Sequence, residues 1–235
     1  MVRYFSGVHA LLMLFDGFDL TIYGAVVPTL MQEWNISAVQ AGMYGSYALF
    51  GMMFGALIFG TLADKLGRKK IILICVSIFS LFMLLSGLAP SPEMFGVFRF
   101  VTGLGLGGMM PNVIGLISEY SPEGLRSRMI ATIMAGYSIG GVVAALLSMI
   151  LITNFGWASV FFFGALPLLF LPFLFKLLPD SVGTLIAKKD QKGIQKILTK
   201  VNATYKPLEN ETFVLNKGCF RIDCCFLDHT IKRLL

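Results

Sequence analysis

The stretch Gly60-Thr-Leu-Ala-Asp64-Lys-Leu-Gly67-Arg68-Lys69-Lys70 decides how the rest of this chain is read. It packs five charges, four of them basic, into eleven residues, at the junction of two apolar runs, Ala41–Ala63 and Ile71–Ala89. Each run is long enough to cross a bilayer, which takes roughly 20 apolar residues. The charged insert is therefore expected to form a tight loop on one side of a membrane.

Composition points the same way. Of 235 residues, 56% are hydrophobic and only 14% are charged, against about 25% charged in a typical soluble domain. A chain this apolar cannot cover its surface in water. Six spans are expected: Phe5–Met31, Ala41–Ala63, Ile71–Ala89, Met94–Ser118, Met129–Thr153 and Trp157–Leu178. All should be helices, because lipid offers no partner for backbone N–H and C=O groups. A barrel needs short strands of alternating polarity, which these uniformly apolar runs exclude. The fold class is thus an all-α membrane protein. The N-terminal run is too long for a signal peptide, too polar at Asp16, and lacks a small-x-small cleavage site.

Lys and Arg set the expected orientation. Lys65, Arg68, Lys69 and Lys70, then Arg126 and Arg128, then the basic segment after Lys176 mark one side. The alternate connections Gln32–Gln40, Pro90–Glu93 and Asn154–Gly156 contain no Lys or Arg. Both termini are therefore expected in the cytoplasm. The net charge of +6 follows from this topology and calls for no nucleic acid. Cys75 lies in a span, and Cys219, Cys224 and Cys225 lie in the tail. These cysteines suggest no disulfide framework. A metal site from the tail cysteines and His229 lacks structural-zinc spacing, so no metal is expected.

Ionisable side chains inside a span are costly and are functional suspects by default. Asp16 and Asp19 stand three residues apart in the first span, which puts both carboxylates on one helix face. Desolvation and mutual repulsion suit such a pair to taking up and releasing a proton. Arg99, in the fourth span, offers a planar fork to a carboxylate. That carboxylate is either a substrate's or one of the two Asp residues, in which case the pair also serves to make insertion tolerable. Tyr23, one turn beyond Asp19, and Tyr44, Tyr47 and Phe50 in the second span suggest a cavity for a flat, partly apolar solute, although each is equally ordinary as packing. Asn112, after Pro111, is a polar candidate because an amide within a span seeks a partner.

Gly103-Leu-Gly105-Leu-Gly107-Gly108 matches G-x-G-x-x-G in form, but a nucleotide loop needs a strand before it and a soluble βαβ unit around it. Helix packing is the better account. Gly51/Gly55, Gly103/Gly107 and Gly136/Gly140 follow the small-xxx-small rule for close approach of helices in membranes.

The opening stretch, with its pattern G-x-L-A-D-x-x-G-R-K-K, resembles the loop between helices 2 and 3 of major facilitator superfamily transporters. Arg99-Phe-Val-Thr-Gly103-Leu-Gly-Leu-Gly107-Gly108 resembles the fourth-helix motif of that superfamily, and Glu119-Tyr-Ser-Pro-Glu-Gly-Leu-Arg126 its next inner loop. More narrowly, Asp16-Gly17-Phe18-Asp19-Leu-Thr-Ile-Tyr23-Gly24 is similar to the D-G-x-D motif of aromatic acid:proton symporters, carriers of benzoate, 4-hydroxybenzoate and protocatechuate. Leu178-Pro179-Asp180-Ser181 is similar to the L-P-E-S after helix 6, with Asp for Glu.

The resemblance implies a proton-coupled importer of aromatic carboxylates in a bacterial inner membrane, with no cofactor beyond the coupling proton and no enzymatic activity. Asp16, Asp19 and Arg99 would serve substrate and proton, aided by Tyr23 and Asn112. Gly60, Asp64, Gly67, Arg68, Glu119 and Arg126 would build a cytoplasmic gate, with Asp64 as gate acid, Gly67 permitting the turn and Arg68 pairing with the acids. It also implies twelve helices, where this sequence offers six.

The expected organisation is a six-helix bundle over 1–178, the start of a basic central loop over 179–215, and an atypical tail over 216–235 from truncation or a frame shift. The partner would be the missing six-helix half. Other readings are a carrier of another organic acid, a nicotinate-like compound or a sugar, and a membrane fragment that transports nothing.

Overall fold

The computed structural model describes the backbone of residues 2–120 and 123–178 and, within these, the side chains of residues 7–118, 125–175 and 178. The expected central loop over 179–215 and tail over 216–235, with Cys219, Cys224, Cys225 and His229, lie outside the described residues. So does the side chain of Glu119.

Among the described residues, seven helical segments make six apolar rods: α1 Val2–Glu33, α2 Ala38–Leu66, α3 Arg68–Gly87, α4 Pro92–Tyr120, α5 Glu123–Phe155, and a sixth rod formed by α6 Ala158–Gly164 and α7 Pro167–Leu177. Six helices among these residues are long and apolar enough to cross a membrane. The sixth is interrupted because Pro167 has no N–H to continue the ladder. Instead, the Leu166 N–H donates to the Phe163 carbonyl three residues back, and Leu168 to Ala165.

The connection at the charged stretch is tighter than a loop. The α2 helix runs on through Asp64 and Lys65 to Leu66, α3 begins at Arg68, and Gly67 alone joins them. Its φ of 93° and ψ of 139° belong to a region that only glycine enters cheaply. At the other end of α2, Ser37 forms a capping box: its Oγ accepts from the Gln40 N–H at 3.3 Å, and Gln40 Oε1 accepts from the Ser37 N–H at 2.9 Å. Reciprocal capping satisfies two backbone donors that the helix leaves open. The fifth rod begins earlier than its hydropathy suggests. Arg126 and Arg128 lie within the first turns of α5 rather than in a loop.

The helices associate as tight pairs. The main packing is α2 along α4, α1 along α5, and α3 along α4, whereas α1 meets α2 and α4 only sparsely. Glycine sets the α2/α4 pair. A Cβ on Gly51 or Gly55 would overlap the Phe100 or Leu104 carbonyl, and one on Gly103 or Gly107 would overlap the Ala48 or Met52 carbonyl. In the α1/α5 pair, Gly17, Gly136 and Gly140 approach Tyr137, Ala10 and Leu14 in the same way. Without a hydrophobic drive between helices in lipid, this close van der Waals fit is what holds them together.

Two buried clusters fill the bundle. One, toward the end carrying the Gly67 break, includes Leu12, Ile72, Phe79, Leu106 and Ile133. The other, toward the opposite end, includes Phe18, Ile22, Phe95, Trp157 and Phe161. In the second, Phe95 stands edge-on to Phe161 at 5.5 Å and to Trp34 at 5.5 Å between centroids. Edge-to-face stacking of this kind suits the quadrupole of aromatic rings. The Trp157 indole N–H donates to Glu33 Oε2 at 2.5 Å, tying the end of α1 to the start of the sixth rod.

Candidate functional site

Asp16 and Asp19 are both fully buried on the inward face of α1, and Arg99, on α4, is 1% exposed. Arg99 Nη1 donates to Asp19 Oδ1 at 2.5 Å. This ion pair crosses the sparse contact between the α1/α5 pair and the α2/α4 pair. Each helix brings its charge to the crossing for a local reason. On α1, Gly17 lies against the α5 backbone, which turns its neighbours Asp16 and Asp19 toward the interior. On α4, Arg99 stands one turn before Gly103, which with Gly107 lies against α2, and its long side chain reaches past that seam to Asp19 on α1.

The three charged groups are used unequally. Among the described residues, no donor reaches either oxygen of Asp16, nor Asp19 Oδ2, and Arg99 Nε–H has no acceptor. An ionised carboxylate buried without partners costs several kcal/mol. Asp19 has its countercharge. Asp16, three residues away on the same face, does not. The site therefore combines one paired acid, one unpaired acid and a guanidinium with a donor to spare.

Tyr23 packs its ring against the guanidinium, with Arg99 Cζ 5.3 Å from the ring centroid, and its hydroxyl donates to the Ala41 carbonyl of α2. Tyr44 is buried beside Tyr47, ring centroids 6.0 Å apart, and both rings lie over Gly96, where a Cβ would strike them. Tyr47 is half-buried, and Phe50 faces outward from the bundle.

Asn112 does not join this group. It lies thirteen residues beyond Arg99 on α4, about 20 Å at the helical rise. Its Nδ2 donates to the Gly108 carbonyl at 2.7 Å and to the Phe59 carbonyl of α2 at 3.3 Å. In this arrangement the amide ties α4 to α2.

The gate candidates gather at the opposite end of the bundle from Trp157. Asp64 is exposed on the last turn of α2, Gly67 is buried at the break, and Arg68 is half-buried at the start of α3. Gly60 lies half-buried on α2, and Arg126 half-buried near the start of α5. Reading the sequence missed Gly115. A Cβ there would fall on the Arg68 guanidinium, so the absent side chain makes the seat for Arg68 on α4, one turn before Glu119. Gly45 was also missed, and it makes room for the Tyr23 ring in the same way. Both are single glycines in apolar spans, without the paired four-residue glycine spacing that marks the helix seams.

Comparisons with known proteins bear on the family and the fold. The family model of the Major Facilitator Superfamily matches residues 10–225. The chain is 47% identical over 216 residues to the benzoate transport protein of Acinetobacter baylyi, covering 90% of this chain and 46% of that protein. It is 40% identical to the gentisate transporter of Corynebacterium glutamicum, over 72% of this chain and 39% of the other. Against the 4-hydroxybenzoate transporter PcaK of Pseudomonas aeruginosa it is 37% identical, over 81% of this chain and 43% of the other. It thus spans less than half the length of these relatives.

Among solved structures, the fold is similar to the proton:xylose symporter XylE, with a TM-score of 0.77 at 20% identity, covering 85% of this chain and 49% of that one. An inward-open structure of XylE from E. coli matches with a TM-score of 0.76 at 19% identity, covering 87% of this chain and 53% of that one. At such identity the likeness concerns the fold alone. The motifs, the six spans and these matches together establish that this multi-pass membrane chain belongs to the Major Facilitator Superfamily, in the arrangement of its N-terminal half.

Proposed function

We propose that this chain is the substrate- and proton-handling half of a proton-coupled importer of aromatic carboxylates such as benzoate or 4-hydroxybenzoate. It sits in a bacterial inner membrane, with the Gly67 end and both termini in the cytoplasm. The observation that carries this is the buried Asp19–Arg99 pair with the unpaired carboxyl of Asp16 three residues away. The aromatic-acid carriers among its relatives support the class of solute.

In this reading, the three groups divide the work. Asp16 carries the proton, because its buried carboxyl has no countercharge of its own. Arg99 receives the substrate carboxylate, using donors that Asp19 leaves free, and Asp19 holds the guanidinium until the substrate competes for it. Tyr23, Tyr44 and Tyr47 shape the space for an aromatic ring. At the cytoplasmic end, Gly60, Asp64, Gly67, Arg68, Glu119 and Arg126 form the gate against a second six-helix half. No further cofactor is needed, since the proton gradient supplies the driving force.

The test is benzoate uptake under an imposed proton gradient by a full-length carrier containing this chain as its N-terminal half. Asp19→Asn and Arg99→Lys should abolish accumulation, and Asp16→Asn should leave exchange of benzoate while uncoupling it from protons. Proton-driven uptake that survives Asp19→Asn would sink the coupling role.

A second reading changes only the solute. The chain is also 36% identical to the niacin transporter NiaP of Acinetobacter baylyi, and nicotinate is likewise a flat ring with a carboxylate. Competition of labelled benzoate by a panel of aromatic acids, nicotinate and a sugar separates these.

A further inference from the structure

We propose that Tyr23 is a positioning residue: it straps the start of α2 to Arg99 and so sets how firmly Arg99 holds Asp19. This rests on the reading of Arg99 as the seat of the substrate carboxylate, held by Asp19 until the substrate competes, and adds the element that controls that hold.

Four observations meet at this one side chain. Tyr23 lies one turn beyond Asp19 on α1, on the same face. Its ring faces the Arg99 guanidinium, with Cζ 5.3 Å from the centroid, an attraction that strengthens where both groups are desolvated. Its hydroxyl donates to the Ala41 carbonyl in the first turns of α2. Finally, Phe95, one turn before Arg99 on α4, stacks with the Tyr23 ring at 6.2 Å and 24°.

These contacts need space on α2, and Gly45 supplies it. A Cβ at that position would meet the edge of the Tyr23 ring. One side chain therefore touches three helices where α1 otherwise meets α2 and α4 only sparsely.

The consequence is mechanical. The hydroxyl is fixed to the α2 backbone and the ring to a cation on α4, while the side chain is rooted on α1. Any shift of the α2 end relative to α1 must therefore break the hydroxyl bond or slide the ring off Arg99. Losing the ring frees the guanidinium to rotate from Asp19 toward another carboxylate. Movement at the end of the bundle is converted into a change at the buried ion pair.

The experiment uses the full chain in lipid nanodiscs with 15N-labelled arginine. The Arg99 guanidinium signal is assigned as the one absent from Arg99→Lys. Tyr23→Phe keeps the ring and removes the strap, so the Arg99 signal should broaden while retaining its ring-current shift. Tyr23→Leu should lose that shift altogether. Gly45→Ala, which pushes the ring without touching Tyr23, should reproduce the broadening.

If Tyr23→Phe and Gly45→Ala both leave the Arg99 signal as in the native chain, the strap is overturned, whatever happens to Tyr23→Leu. Benzoate uptake by the full-length carrier is read in parallel. There, Tyr23→Phe should shift the pH profile of uptake, and an unshifted profile counts against the strap. If Asp19→Asn and Arg99→Lys transport normally while the Arg99 signal still responds to Tyr23→Phe, the coupling reading falls and the positioning role stands.

Discussion

Arg99 Nη1 reaches Asp19 Oδ1 at 2.5 Å across 80 residues of sequence, and this bond spans a sparse junction of the bundle. On one side lie α1 and α5, on the other α2, α4 and α3, each group held by glycine-lined backbone contact. Direct packing of α1 on α2 and α4 is sparse, so the buried ion pair adds a polar tie to the apolar clusters that join the two groups.

Truncating one partner should therefore cost far more than removing both. Arg99→Leu, and likewise Asp19→Leu, leaves the other charge buried without a partner and is expected to destabilise the chain by about 3–5 kcal/mol. The double replacement Asp19→Leu with Arg99→Leu should recover most of that loss while abolishing function. Thermal unfolding in detergent of the two single variants and the double variant gives the cycle. Equal destabilisation by the double variant would show that the pair contributes net stability.

Asp16 should behave in the opposite way. No donor reaches its oxygens among the described residues, so Asp16→Asn, which mimics the protonated acid in shape, is expected to change unfolding stability by less than about 1 kcal/mol, the scale of an ordinary hydrogen bond. A much larger loss in the same unfolding assay would mean that Asp16 is ionised and paired.

The glycine seams make a graded prediction. Gly103→Val places two methyl groups against the α2 backbone at Ala48, and such overpacking typically costs about 1–3 kcal/mol. Gly42 has open space around its position on the same helix pair, so Gly42→Ala should be neutral or stabilising by roughly 0.5–1 kcal/mol through helix propensity. Melting temperatures of the two variants should move in opposite directions.

At the α2–α3 junction the constraint is conformational. Gly67 holds φ at 93°, and forcing a side chain into such a region costs on the order of 1–3 kcal/mol. Gly67→Ala is expected to lower the melting temperature and to weaken the gate. Gly60→Ala, at a helical position with open space, should leave stability intact, so any transport defect it causes isolates a role in the gate. Comparing unfolding with uptake in the full-length carrier separates the two effects.

Much of this was legible in the sequence because hydropathy and charge are local properties. Any helix must satisfy its backbone in lipid, so apolar runs translate directly into rods. Charged residues within them mark the site because burying them is costly. The same logic blurred the ends. Hydropathy stops where charge begins, yet α2 continues through Asp64 and Lys65, and α5 includes Arg126 and Arg128, because helical hydrogen bonding does not depend on the polarity of side chains. Pro167 breaks the sixth rod although the apolar run across it is unbroken. For Asn112, the two carbonyl acceptors of its amide, one of them on α2, are not visible in one dimension.

The sequence by itself determined the membrane class, the six rods, the superfamily and the three ionisable residues inside the spans, since each depends on composition or spacing within a single helix. Only the tertiary structure decided that Asp19 rather than Asp16 takes Arg99, that Tyr23 bridges three helices, and that Gly45 and Gly115 are seats for other side chains. Those outcomes depend on how each helix is rotated about its axis. That rotation is set jointly by the glycine contacts of α2 with α4 and of α1 with α5, where the backbones approach closely.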